Sequence, residues 1–243
     1  MPIDSFLILL IIGVLSVIQS FFGIGVLVFG TPTLLLLGHD FIATLGYLLP
    51  SSFAISLLQV VSSSSKKVPI PRYLYVLCLP GIGIGLWLTE AGSFILWTNL
   101  LVGGTLLISA LVRFWPPSQN ILTSLLNRNL PIYHVIMGLI HGFTNLGGAL
   151  LAILAGGRSN EKEVIRYTIA YYYLAFSIIQ MLFLAIFMGH RDFPATNLLH
   201  AVLAAFVYLL VGNKIFKSSN NYHYNFALSL FMAAYGVAIL LRL

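Results

Sequence analysis

"MGLIHGFTNLGGALLAIL", residues 137–154, is apolar enough to lie in a bilayer, yet its middle carries His141, Thr144, Asn145 and the pair Gly147-Gly148. A plain crossing has no use for such a cluster. Backbone in hydrocarbon must satisfy its own hydrogen bonds, and irregular backbone survives there only where protein or a cavity surrounds it. Glycine permits the dihedrals of a break. The stretch therefore reads as two half-helices joined inside the protein.

The rest of the chain supports a membrane setting. Of 243 residues, 59% are hydrophobic and 7% charged, and mean hydropathy is +0.99. A soluble domain would have roughly a quarter of its residues charged. An all-α polytopic membrane protein is expected. The apolar start follows Met-Pro-Ile-Asp, without the basic lead of a signal peptide, and reads as retained structure. The formal charge of +6 is spread over short loops, with no basic helix or aromatic-basic stripe, so no nucleic-acid partner is expected. The single Cys78 excludes internal disulfides and Cys-rich metal sites.

Apolar runs fall at 5–37, 41–62, 73–89, 94–113, 131–156, 164–188, 194–212 and 223–241. Since about twenty residues make one crossing, the run 5–37 is too long for one, and it contains its own break at "FFGIGV". The segment 17–59 can be laid on 139–180: Phe21 meets Phe143, Gly25 meets Gly147, Asp40 meets Glu161 and Gln59 meets Gln180, at an offset of 121–122 residues. Two homologous halves, 1–122 and 123–243, are expected. Each would be a Gly-broken hairpin, re-entrant or split, followed by three transmembrane helices.

Loop charge then sets orientation. If 5–37 and 131–156 are hairpins, Lys66, Lys67, Arg72, Arg113, Arg128, Arg158, Lys162, Arg166, Lys214 and Lys217 share one side, leaving Arg191 and Arg242 opposite. Basic residues favour the cytoplasmic side, which supports the hairpins over a single crossing at 131–156. A hairpin plus three crossings inverts one half relative to the other, and inverted repeats with discontinuous helices are a transporter architecture.

A helix that begins after a break presents unpaired N–H groups and the positive end of its dipole. Two such starts near the midplane would hold an anion without a formal charge. Intramembrane carboxylates, expected of a cation pathway, are missing from the spans. The substrate-binding candidates are Gly23, Gly25, Thr31, Gln59, Thr144, Asn145, Gly147, Gly148, Tyr172 and Gln180, with His141 for proton coupling. Gln19, Ser20, Thr33, Ser51, Ser52, Tyr171 and Tyr173 are further polar groups on the same segments; "YYY" at 171–173 points in three directions, so one or two rings at most face a site. The glycines also have a plain role in close helix packing, the expected role of "GIGIG" at 81–85, which lies in an apolar span with no strand before it. Trp87, Trp97 and Trp115 are expected at membrane interfaces. His39-Asp40 and His190-Arg191-Asp192 lie in loops and are not expected to bind metal, and no cofactor is expected.

These residues carry a family resemblance. "FGIGVLVFGTPTLLLLG" resembles the first-repeat signature of the TauE/SafE sulfite-exporter family, also called the toluene-sulfonate uptake permeases: a Gly-rich break, a proline and a leucine run ending in glycine, here Gly23, Gly25, Pro32 and Gly38. "TNLGGALLAIL" followed by "NEKEVIRYT" is similar to the family's second Gly-Gly break and Lys-Glu-Ala-Val-x-x-Thr stretch. The usual Gly run after Gly25, a second-half partner for Pro32 and the small-Thr-Ser stretch near Thr168 depart from that pattern. The resemblance implies a bacterial inner-membrane carrier for sulfur-containing anions such as sulfite, thiosulfate or organosulfonates.

The expected activity is secondary transport by alternating access, with a small anion and membrane lipids as partners and homo-oligomer formation left open. Anion export is aided by a negative-inside potential, whereas uptake needs coupling to an ion. An intramembrane enzyme would need clustered catalytic groups at membrane depth, which the sequence lacks. A channel would give non-saturating flux.

Overall fold

The computed structural model describes residues 3–63, 68–91, 128–187 and 196–241, with isolated positions between 104 and 126. Most of the expected span 94–113, Trp97, Trp115 and the loop residues Lys66, Lys67, Arg113, His190, Arg191, Asp192 and Arg242 lie outside them. The described chain is helical, without a strand: α1 (Ile3–Phe22), α2 (Val26–Leu36), α3 (Phe41–Ser62), α4 (74–91), α5 (Leu130–Thr144), α6 (Gly147–Arg158), α7 (Lys162–Phe187), α8 (196–218) and α9 (Asn221–Leu240). α4 opens with a π-helical turn, Leu74–Cys78, and α8 contains another at Tyr208–Gly212.

Four segments are long and apolar enough to cross a membrane: Ser5–Phe22, Phe41–Ser62, Lys162–Phe187 and Asn197–Ser218. At 1.5 Å per residue, the 11 residues of α2 and the 12 of α6 reach only about 16 and 18 Å, near half of a hydrocarbon core about 30 Å thick. Burial has the polarity expected in lipid. Outward faces carry Phe6, Leu10, Val14, Leu198, Val202, Phe206 and Leu210, whereas Ser16, Gln19, Ser52, Ser56, Gln59, His141, Asn145 and Gln180 are buried. Trp87 is 58% exposed, open to lipid or an interface.

Each short helix turns back along the helix before it. α2 returns along α1 so closely that a Cβ on Gly30 would lie 3.2 Å from a Leu15 methyl. α6 returns along α5, where Tyr133 Oη donates to the Leu150 carbonyl at 2.6 Å. α3 and α7, the long helices that follow the two hairpins, pack on each other, and α8 lies against α1 and α3.

The α4–α5 contact is a small-residue seam. The Cβ position of Gly85 is 2.7 Å from the Leu139 carbonyl and 2.9 Å from Gly142 Cα; those of Gly138 and Gly142 fall inside the Cys78 and Ile82 carbonyls. "GIGIG" is a packing motif here, as small residues are where backbones must approach closely. Gly142→Ala is therefore expected to cost about 2–3 kcal/mol, the upper end of overpacking. Gly83→Ala, whose Cβ would meet nothing within 4 Å, should be neutral. Melting temperatures of the two purified variants check the contrast.

Candidate functional site

The first break is Gly23-Ile24-Gly25. Gly23 adopts φ +83°, and its N–H donates to the Gln19 carbonyl at 2.7 Å. Left-handed backbone of this kind favours glycine. Gly25 is instead required by contact, because its Cβ would lie 2.5 Å from the Gln19 backbone nitrogen.

The second break is built the same way, but not where the glycines suggest. Asn145 takes the left-handed turn, with φ 60°, and its N–H donates to the His141 carbonyl at 2.7 Å. Asparagine tolerates this region better than most residues. Gly147 and Gly148 open α6 instead of forming the turn. A Cβ on Gly147 would sit 2.6 Å from His141 Cβ, matching the way Gly25 lies over Gln19. A Cβ on Gly148 would fall inside the Tyr173 hydroxyl and against Val28 of α2.

Carbonyls in the last turn of α1 accept further hydrogen bonds from three other helices. Gln59 Nε2 donates to the carbonyls of Gln19 (3.0 Å) and Ser20 (3.1 Å), Arg166 Nη1 to Ser20 (3.3 Å) and Tyr224 Oη to Phe22 (2.8 Å). Gln19 then serves the start of α2: its Oε1 accepts from the Val26 N–H at 3.0 Å, and its Nε2 donates to Ser52 Oγ (3.1 Å) and Ser56 Oγ (3.2 Å).

In the second break a chain of side chains joins the two hairpins. His141 Nε2 donates to Gln180 Oε1 (3.2 Å), Gln180 Nε2 to Asn145 Oδ1 (3.2 Å), and Asn145 Nδ2 to Thr31 Oγ1 on α2 (2.7 Å). All four are buried. The breaks thus meet through Thr31–Asn145 and Val28–Gly148.

The structure gathers Gly23, Gly25, Thr31, Gln59, His141, Asn145, Gly147, Gly148 and Gln180 around this seam. Thr144 is there but spends its hydroxyl on its own backbone, donating to the Ile140 carbonyl at 2.6 Å and accepting from the Leu146 N–H at 3.2 Å. Tyr172 is placed elsewhere. Because His134 Nδ1 faces the Leu130 carbonyl at 2.7 Å, its Nε2 accepts from Tyr172 Oη at 2.7 Å. Tyr171 pairs with Tyr75 at 2.6 Å. The ring that reaches the break is Tyr173, whose buried hydroxyl has no hydrogen-bond partner among the described residues. Ser56, Ser177 and His134 escaped the sequence reading. Continuing the 121–122 offset would have paired Gln19 with His141 and Ser56 with Ser177.

Cations lie beside the seam. Arg166, 6% exposed, stacks its guanidinium 3.3 Å from the Phe216 ring centroid and bonds Asn213 Oδ1 at 3.4 Å. Lys162 Nζ donates to the carbonyls of Phe216 and Ser219 at the end of α8. Positive charge at helix C-termini offsets their negative dipole ends. Among the described residues no group of three His, Cys, Asp or Glu side chains could hold a metal.

A multi-pass helical protein whose buried polar seam joins two broken helices has the build of a membrane carrier. The chain belongs to the sulfite exporter TauE/SafE family, whose family model matches residues 7–239, and it is accordingly a membrane transport protein of the permease type. No curated protein and no solved structure matches it.

Proposed function

We propose that the chain is a secondary transporter, not an enzyme, for small sulfur-containing anions such as sulfite, thiosulfate or organosulfonates. The anion binds at the seam between the two breaks, and alternating access exposes it to each side in turn. The carrying observation is the meeting of Thr31 with Asn145 and of Val28 with Gly148, which sets the starts of two half-length helices side by side in a buried, polar setting. Family membership supports the sulfur chemistry.

The halves 1–122 and 123–243 act as inverted repeats in this reading, supported by the shared construction of the breaks: Gly23 with Asn145, Gly25 with Gly147, Gln59 with Gln180. The location is a bacterial inner membrane with the basic loops cytoplasmic, lipids around the outward apolar faces, and homo-oligomers allowed. His141 is the proposed proton-sensitive residue, and pH-dependent flux unchanged in His141→Gln would remove it from that role.

Purified protein in proteoliposomes tests the transport reading. Labelled sulfite uptake should saturate with concentration and be accelerated by unlabelled sulfite trapped inside. Flux that rises linearly without counterflow would make the chain a channel. No sulfite, thiosulfate or sulfonate flux would refute the sulfur-anion reading.

A further inference from the structure

The two breaks share a backbone but differ in how their polar groups are used. In the first, the Gln19 carboxamide lies against the start of α2, accepting from Val26 N–H and donating to Ser52 and Ser56. At the 121–122 offset, the corresponding residues are His141, Gly148, Tyr173 and Ser177. Here the pattern is left unfilled. His141 turns its Nε2 toward Gln180, and its Nδ1 has no partner among the described residues. The N-cap residue of α6, Leu146, offers no side-chain acceptor to the helix start; its own N–H is taken by Thr144 Oγ1. The hydroxyls of Tyr173 and Ser177, both fully buried, also have no partner among the described residues, and Tyr173 Oη touches Gly148 itself. Buried polar groups without a partner are costly, and here the Tyr173 hydroxyl and the His141 ring lie against the first two residues of a 12-residue helix.

We propose that the transported anion binds at the second break in the place that the Gln19 carboxamide fills at the first, and that the site accepts monoanions in preference to dianions. One ligand oxygen accepts from the Gly148 N–H, as Gln19 Oε1 accepts from Val26 N–H. The other oxygens accept from Tyr173 Oη and Ser177 Oγ. This rests on the transport reading above and narrows it to one break and one charge class.

The charge class follows from the helix ends. A helix start carries about half a positive charge and a helix end about half a negative one. At the seam, the starts of α2 and α6 are offset by the ends of α1 and α5. Among the described residues the side-chain charge left over is Arg166, seated on the Ser20 carbonyl; Lys162 is spent on the end of α8. The acidic residues Asp40, Glu161 and Glu163 stand at the starts of α3 and α7, not at the breaks. The described residues of the seam thus hold about one positive charge, which matches one negative charge and leaves a second uncompensated in a low-dielectric surrounding.

Equilibrium binding to the purified full chain tests this with methanesulfonate as the monoanion and sulfate as the dianion, at matched ionic strength. Methanesulfonate should bind at least tenfold tighter than sulfate. Tyr173→Phe, which keeps the ring, should weaken it about ten- to a hundredfold, the range that one hydrogen bond to a charged group is worth. Ser177→Ala should add to that loss. Melting temperatures of both variants without ligand establish that they fold. Sulfate bound as tightly as methanesulfonate would overturn the charge class. Unchanged methanesulfonate affinity in a folded Tyr173→Phe/Ser177→Ala double variant would overturn the placement, leaving transport intact. If neither probe binds while sulfite flux persists, the inference fails alone; if flux is absent too, the transport reading fails with it.

Discussion

Asn145→Ala is expected to lower stability by about 3 kcal/mol or more and to abolish most transport. The substitution leaves Gln180 Nε2 and Thr31 Oγ1 buried without their partner, at about 1–3 kcal/mol for each buried group orphaned. It also forces alanine into the left-handed turn, a penalty of about 1–2 kcal/mol. Asn145→Gly separates the two causes, because it relieves the backbone while still breaking both bonds. Asn145→Asp keeps an acceptor for Gln180 but sets a carboxylate beside the proposed anion, so transport should fall further than stability does. Thermal melts and proteoliposome flux on the three variants read this out. Stability and flux near wild type in Asn145→Ala would mean that the bond between the hairpins is incidental.

Arg166→Met should be nearly as damaging. Methionine retains a stem able to pack on Phe216, but the Ser20 carbonyl loses a charged donor and Asn213 Oδ1 loses both of its bonds from the guanidinium. A hydrogen bond to a charged group is worth about 1.5–3 kcal/mol, and the site is 6% exposed, so solvent screens little. The expected cost is about 2–3 kcal/mol in thermal unfolding. Arg166→Lys should recover only part of it, since one ammonium cannot reproduce the planar fork that spans Ser20 and Asn213. Full recovery by lysine would show that charge alone matters there.

Much of this was legible in the sequence because hydrocarbon restricts what a chain can do. Eighteen charged residues among 243 define the solvent, and apolar runs interrupted by glycine define where backbone must break. The first break was read at Gly23 and Gly25; Gly23 needs φ +83°, as the dihedral argument has it, whereas Gly25 is required by its contact with Gln19. The second was read on Asn145 together with the glycine pair; Asn145 alone makes the turn, and the pair starts the next helix. The two roles share a composition and differ only in φ, which spacing does not carry. Tyr172 against Tyr173 turned on rotation about α7: adjacent helical residues lie about 100° apart, so which ring meets Gly148 depends on how α7 seats on α6. The hydrogen-bond chain from His141 to Thr31 spans 110 residues of sequence, and no local pattern announces it. Arg166 read as a loop-end charge because its counterparts are backbone carbonyls, which every residue possesses.

The most direct measurement of the central claim is the melting temperature of the purified chain with sulfite, sulfate, thiosulfate, a short organosulfonate, a carboxylate or chloride, at matched ionic strength and pH. A ligand that binds only the folded state at a hundredfold excess over Kd stabilises it by about 2.7 kcal/mol. A rise is expected with one or more sulfur anions, none with chloride or the carboxylate, and none for any anion in Asn145→Ala. An equal response to all six, or to none, would contradict an anion site at the meeting of the two breaks.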